Sequence, residues 1–141
     1  MQTKILLRTA GAVLLAVVSM WAQEGKDPID KSLDACLNRP GAANTAGQRE
    51  CAAKAYAAWD GELNKAYQQL MKTLDPASRD LLRASQRHWL AFFEAEKKFQ
   101  AGPWSRQQGT LGAVSTALAD ADLVKSRALT LRNYAGGGNP N

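Results

Sequence analysis

A chain of 141 residues with a formal net charge of +5 is long enough for one domain with one core. Its only histidine, His88, cannot build a histidine metal site, and no glycine-rich phosphate loop opens a helix, so neither a metal nor another cofactor is expected. The lysines and arginines are spread among acidic residues, which argues against a nucleic-acid partner because such binding needs cations clustered on one face.

Residues 1–22 have the features of a secretion signal. Lys4 and Arg8 supply a positive start, residues 9–20 are mostly apolar, and Ala22 offers a small side chain before a cleavage point. An apolar stretch of about 12 residues is shorter than the roughly 20 that a membrane-spanning helix needs. We therefore expect export, with the protein periplasmic or secreted.

The same segment leaves one alternative open. Met20 stands where a small residue is preferred, so an uncleaved N-terminal anchor is the second interpretation. No cysteine precedes Cys36, so no lipid anchor is expected, and after cleavage the protein should have no stable membrane anchor. The expected organisation is a signal peptide at 1–22, one helical domain at 23–135 and a flexible glycine-rich tail at 136–141.

Cys36 and Cys51 are the only cysteines. An even number of cysteines in a short exported chain favours a disulfide. Closing a loop of about 15 residues stabilises a fold by roughly 3 kcal/mol in the chain-entropy description. The alternatives are a zinc site, which lacks histidines, and thiol redox chemistry, which the spacing does not suit.

The first predicted helix begins at Asp27-Pro28, an N-cap carboxylate followed by proline, and ends near Leu37. A second and longer helix is predicted from Thr45, where Thr45 and Gln48 fit a capping box. Its apolar residues recur at steps of three and four: Tyr56, Trp59, Leu63, Tyr67, Leu70 and Leu74.

Asp75-Pro76 predicts a tight turn and the start of a third helix that ends at Gly102-Pro103. A loop at 102–109, with Trp104 in it, precedes a last helix predicted over about 110–133. The short connection at Asp75 requires antiparallel neighbours. The predicted fold is all-α, an antiparallel bundle of three long helices plus a short N-terminal helix tethered by a disulfide.

Catalysis is not expected. His88 lies in mid-helix, and no nucleophile motif accompanies it. The acidic pairs 60/62, 94/96 and 120/122 are two residues apart, so each pair points to different helix faces, whereas glycoside cleavage needs two converging carboxyls.

Four polar residues lie next to apolar positions of the predicted helices: Asp60, Asn64, Arg87 and Arg127. The favoured interpretation is that they satisfy one another by charge-assisted hydrogen bonds between helices. The alternative is that they line a groove for a partner.

The motifs of the chain resemble the LprI-like family of lysozyme inhibitors, long catalogued as a domain of unknown function. The second helix contributes Cys51, Tyr56, Asp60, Leu63-Asn64, Tyr67 and Leu70. The later helices contribute Gln86-Arg87, Trp89, Phe92, Gly109-Thr110 and Arg127. The similarity covers about residues 31–133. Many family members carry a second cysteine pair, and here Lys97 stands where its first cysteine would fall.

The resemblance implies a secreted or periplasmic helical domain that inhibits lysozyme by protein–protein binding. We expect an exported, non-catalytic binding protein that occludes an enzyme's cleft, with Trp104 as the contact and lysozyme or another cell-wall-associated protein as partner. For Trp104 the alternative is that its side chain simply packs over the end of the bundle. Asp60, Asn64, Gln86, Arg87 and Arg127 are expected to be structural or binding residues. The alternative is a periplasmic envelope accessory domain with an unknown protein or cell-wall partner.

Overall fold

The computed structural model describes residues 25–136, so the predicted signal peptide and residues 137–141 of the predicted tail lie outside the described residues. Every regular element in this span is helical, which confirms the all-α prediction. The helices are α1 (Pro28–Leu37), α2 (Thr45–Thr73), α3 (Pro76–Gln100), α4 (Pro103–Arg106) and α5 (Gly109–Ala135), with a 3-10 turn at Pro40–Ala42. Within residues 25–136 no helix is long and apolar enough to cross a membrane.

Two predicted helix starts are confirmed. The Asp27 carboxylate accepts a hydrogen bond from the backbone N–H of Ile29 at 2.9 Å, and the Asp75 carboxylate accepts one from the N–H of Ser78 at 3.0 Å. Each aspartate precedes a proline at the first helical position, where the missing N–H costs no hydrogen bond.

The capping box predicted at Thr45 and Gln48 is wrong. Asn44 is the N-cap of α2, and its side-chain oxygen accepts from the N–H of Gly47 at 2.9 Å. Thr45 is already the first helical residue, so its hydroxyl does not take the capping position. Both residue types cap well, and the sequence pattern alone did not separate them.

Small residues line the contact between α2 and α5, the two helices that pack together most extensively. Ala55 and Ala66 on α2 and Ala121 and Ala128 on α5 are buried, so the two backbones approach closely. Larger side chains complete this part of the core: Trp59, Leu63, Leu70, Val124 and Leu131.

Aromatic side chains attach α3 to this pair. Phe93 is only 4% exposed, and its ring stacks on Tyr56 of α2, with centroids 6.2 Å apart, and on Trp89, with centroids 5.3 Å apart. Large rings hold a helix further from its neighbour than alanines do. The outer face of α3 stays open to solvent.

The disulfide predicted between Cys36 and Cys51 is present and joins α1 to the first turns of α2. Charged pairs fasten α1 to α5 as well: Asp30 pairs with Lys125 at 2.6 Å, and Asp27 with Arg132 at 2.9 Å. The predicted short N-terminal helix tethered by a disulfide is therefore confirmed.

The segment predicted as a loop over 102–109 contains a helical turn, α4. Pro103 begins it, and Gly109 then adopts φ +64°, a left-handed conformation that glycine reaches without strain, so that the chain turns into α5. Trp104 consequently lies on a short helix at the end of the molecule.

Candidate functional site

A groove of about 420 Å³ runs between α2 and α3 on the side where the aromatic residues separate the two helices. The α2–α3 groove is lined on one side by Asp60, Leu63, Asn64, Tyr67 and Gln68 and on the other by Arg83, Gln86, Arg87, Trp89 and Leu90. Its walls therefore combine aromatic rings with a carboxylate, amides and guanidinium groups.

Four of the polar residues singled out from the sequence meet in this groove: Asp60 and Asn64 from α2, and Gln86 and Arg87 from α3. The fifth, Arg127 on α5, does not line the groove but donates a hydrogen bond to Gln86. The family-motif residues, which are distant in sequence, thus form one neighbourhood.

Hydrogen bonding in the groove differs from the favoured expectation. Asn64 donates to the backbone oxygen of Asp60 at 2.9 Å and to its carboxylate at 3.1 Å, and all of these atoms belong to α2. Within residues 25–136 no side-chain hydrogen bond from Asp60, Asn64 or Arg87 crosses between helices. The spacing set by the aromatic residues leaves these groups facing an opening.

Arg127 does bond between helices, but to partners outside the set of four that was expected to pair. Its Nε donates to Oε1 of Gln86 and its Nη2 donates to the hydroxyl of Ser85, both at 3.0 Å. Burial lowers the pKa of the Arg127 guanidinium from its ordinary value, and Tyr134 opposes that change. Arg127 therefore acts as a link between α5 and α3.

Burial and three carboxylates act on the Tyr56 hydroxyl. Burial raises the pKa of the Tyr56 hydroxyl, and the charges of Asp60, Asp120 and Glu94 raise it further. Burial also raises the pKa of Asp120, whose Oδ1 is buried without a hydrogen-bond partner among the described residues, while Lys97 opposes that rise.

Trp104 lies apart from the groove. Its ring stacks on Phe99, with centroids 5.2 Å apart and planes 16° apart, yet Trp104 remains 54% exposed and Phe99 58% exposed. Trp104 thus both packs on its neighbour and presents a flat apolar face to solvent. It is a separate candidate contact from the family-motif residues.

The remaining chemistry is sparse. His88 is exposed on α3 beside Arg87. In the span the structure describes, no group of three or more histidine, cysteine, aspartate or glutamate side chains is arranged to hold a metal ion.

The sequence patterns did not identify every residue that lines the α2–α3 groove or the aromatic partner of Trp104. Arg83 and Leu90 also line the groove, four residues before Arg87 and four residues after Gln86, so helical spacing was the available signal. The pairing of Phe99 with Trp104 had no such signal, because it depends on the turn at Gly102.

The fold and the groove define a small all-α domain with a disulfide-tethered first helix and a polar, aromatic surface groove. The family described as "Lysozyme inhibitor LprI" matches residues 36–131, and this chain belongs to it. The match begins at the first cysteine of the disulfide and ends at buried Leu131 of α5.

A solved structure supports the same fold. The chain is similar to the crystal structure of an uncharacterised protein from Burkholderia thailandensis, with 38% identity and a TM-score of 0.73. The similarity covers 79% of this chain and 55% of that one, so this chain spans about half the length of the solved protein. No curated protein matches significantly.

Proposed function

We propose that this protein is an exported, non-catalytic inhibitor that binds a lysozyme and occludes its cleft. The observation that carries the proposal is the family match over residues 36–131, which includes both cysteines, all of α2 and α3, and all but the last residues of α5. The Cys36–Cys51 disulfide supports an oxidising compartment, periplasmic or extracellular.

We further infer an antiparallel bundle in which α3 runs opposite to both α2 and α5. Two contacts support this direction, because antiparallel neighbours meet at residues that lie similarly far from the connection between them. Tyr56 and Phe93 lie far from the α2–α3 turn on its two sides, and Gln86 and Arg127 lie far from the α3–α5 connection on its two sides. In this arrangement α4 closes the end of the bundle where α3 finishes and α5 starts. A compact end of this kind suits entry into a cleft, and Trp104 is the proposed contact there.

The test starts from protein produced with its full N-terminal segment in a bacterial host. Mass spectrometry of the periplasmic fraction reports export and any cleavage near Ala22. The purified protein is then titrated into a panel of lysozymes, with cell-wall lysis and direct binding followed in parallel. Loss of lysis at near-stoichiometric ratios supports inhibition. No binding at tens of micromolar, by protein with a helical circular-dichroism spectrum, overturns the proposal.

The α2–α3 groove favours a second candidate, an envelope accessory domain that binds a protein or cell-wall component. The supporting observation is that Asp60, Asn64 and Arg87 line an opening without bonding to one another across it. Binding of isolated cell-wall fragments, lost in an Arg87→Ala variant and without effect on any lysozyme, would favour this candidate over inhibition.

A further inference from the structure

The end of the molecule around α4 combines exposed aromatic rings with positive charge. The α4 end is defined here as Lys98, Phe99, Trp104 and Arg106. Its two aromatic residues stack on each other and are each more than half exposed, while Lys98 and Arg106 are exposed beside them in sequence. Tryptophan and arginine are among the residue types most enriched at binding hot spots.

The charge of this end is positive. No acidic residue occurs between Lys97 and Ala119, a stretch that includes the last turn of α3, all of α4 and the start of α5. Arg49 at the start of α2 lines the same hollow as Arg106 and adds a further cation. Glu50, which follows it on α2, is paired with Lys54.

Arg106 is available for a partner. Within residues 25–136 no ion pair joins it to a carboxylate. It also occupies the last position of a four-residue helix at the end of the bundle, where a partner approaching along the helix axes would meet it. Its guanidinium offers the planar fork that binds carboxylates with two parallel hydrogen bonds.

The cleft of a glycosidase that uses two carboxyl groups has complementary chemistry. Its two carboxyls flank the scissile bond, and the one that acts as nucleophile or stabiliser is ionised, so the cleft carries negative charge where the substrate binds. The repulsion between two cationic proteins acts between surface charges and is screened beyond about 8 Å at physiological ionic strength. Salt screens an ion pair inside the desolvated cleft much less.

We propose that the α4 end enters the substrate cleft of the inhibited lysozyme, with Arg106 opposite the two catalytic carboxyls and Trp104 in an adjacent sugar subsite. This rests on the proposed function and adds to it the residue that selects the target. A partner recognised in this way is a glycosidase with two cleft carboxyls and room between them for a guanidinium.

Four single-residue variants test the proposal. Arg106→Ala removes the charge, and Trp104→Ala removes the ring. The matched controls lie away from the α4 end: Lys72→Ala removes an exposed charge from the last turn of α2, and Leu81→Ala removes a side chain that is 72% exposed on α3. We expect Arg106→Ala to weaken lysozyme binding about thirtyfold or more, since it leaves cleft carboxyls unpaired. Both controls should stay within about twofold, as residues outside a hot spot do.

Competition separates the cleft from any other contact. Binding of the unmodified protein is measured against a lysozyme saturated with chitotriose and against a lysozyme whose ionised catalytic aspartate, the partner of the general acid, is changed to asparagine. The proposal predicts that chitotriose competes and that the asparagine variant binds more weakly, with that weakening absent for Arg106→Ala.

An unchanged affinity for Arg106→Ala, with chitotriose still competing, would overturn this inference while leaving cleft inhibition intact. Tight binding that chitotriose does not compete would overturn both the inference and occlusion of the cleft. Binding of the α4 end to anionic vesicles, or self-association lost in Trp104→Ala, without any lysozyme affinity would instead assign the end to a membrane or to a second copy. The absence of all lysozyme binding contradicts the proposed function itself.

Discussion

Arg127 of α5 donates a hydrogen bond from Nε to Oε1 of Gln86 on α3 at 3.0 Å, with a second bond to the Ser85 hydroxyl. The contact links α3, which packs on α2 through aromatic rings, to α5, which packs on α2 through alanines. Because the guanidinium is partly removed from water, its two hydrogen bonds replace solvent that it cannot otherwise recover.

Arg127→Ala should therefore destabilise the fold. Two hydrogen bonds to a charged donor are lost, and we expect the free energy of unfolding to fall by about 2 kcal/mol. Urea denaturation followed by circular dichroism measures the change. The matched control is Arg83→Ala, which breaks an exposed pair with Asp80 and should cost well under about 1 kcal/mol. Equal losses in the two variants would show that Arg127 is not a link between helices.

Removing the disulfide should have a larger effect. In the Cys36→Ala/Cys51→Ala double variant we expect a loss of about 3 kcal/mol, because the reduced chain gains freedom in the unfolded state when the loop is opened. Thermal unfolding with and without reductant measures it. The unmodified protein should lose the same stability when reduced, and the double variant should not respond to reductant. A reductant effect in both would point to another cause.

Asp120→Asn should stabilise the protein near neutral pH. Burial raises the pKa of Asp120, so ionising this group costs more in the folded than in the unfolded state. The gain should be present above the folded-state pKa and should vanish as the pH falls below the ordinary aspartate value of about 4, where both states are protonated. Thermal unfolding from pH 3 to pH 8 follows it.

The matched control for that experiment is the exposed neighbour, Asp122→Asn. This change removes the same charge two residues away without altering a buried group. A gain of the same size and pH dependence in both variants would mean that net charge, and not the burial of Asp120, is responsible.

Ala128→Leu tests the close approach of α2 and α5. Ala128 is fully buried between large side chains, so three added carbons should force them off their preferred conformations and cost about 1–3 kcal/mol. Ala57→Leu, at an exposed position of α2, is the control and should be nearly neutral. Urea denaturation compares the two. If Ala128→Leu left the free energy of unfolding unchanged, the contact between α2 and α5 would have space for a larger side chain.

The sequence predicted most of the local features, although not the N-cap of α2, which is Asn44. Asp27 and Asp75 were recognised as caps because a cap depends on three or four consecutive residues, and the cysteine pair followed from composition and compartment. The α2–α3 groove was not predictable to the same degree. Whether Asp60 and Arg87 bond across a seam or face an opening depends on how far Phe93 and Tyr56 hold the helices apart, which no local pattern encodes.

The α4 end shows the same limit. Trp104 was singled out from its place between two glycines, but its helical turn and its stacking on Phe99 were not. Arg49 and Arg106 are far apart in sequence and become neighbours only when α2 and α5 lie side by side.

The Asp27–Arg132 pair has a practical consequence for handling the protein. It brings the first described residues against the last turn of α5. At a rise of about 1.5 Å per residue, Arg132 lies about 35 Å along α5 from Gly109, where that helix begins. An affinity tag or biosensor linkage joined directly before residue 25 or directly after residue 136 is therefore distant from Trp104 and Arg106. Immobilisation at either of these two points should present the α4 end outward, and the two proteins should give the same measured affinity for a target.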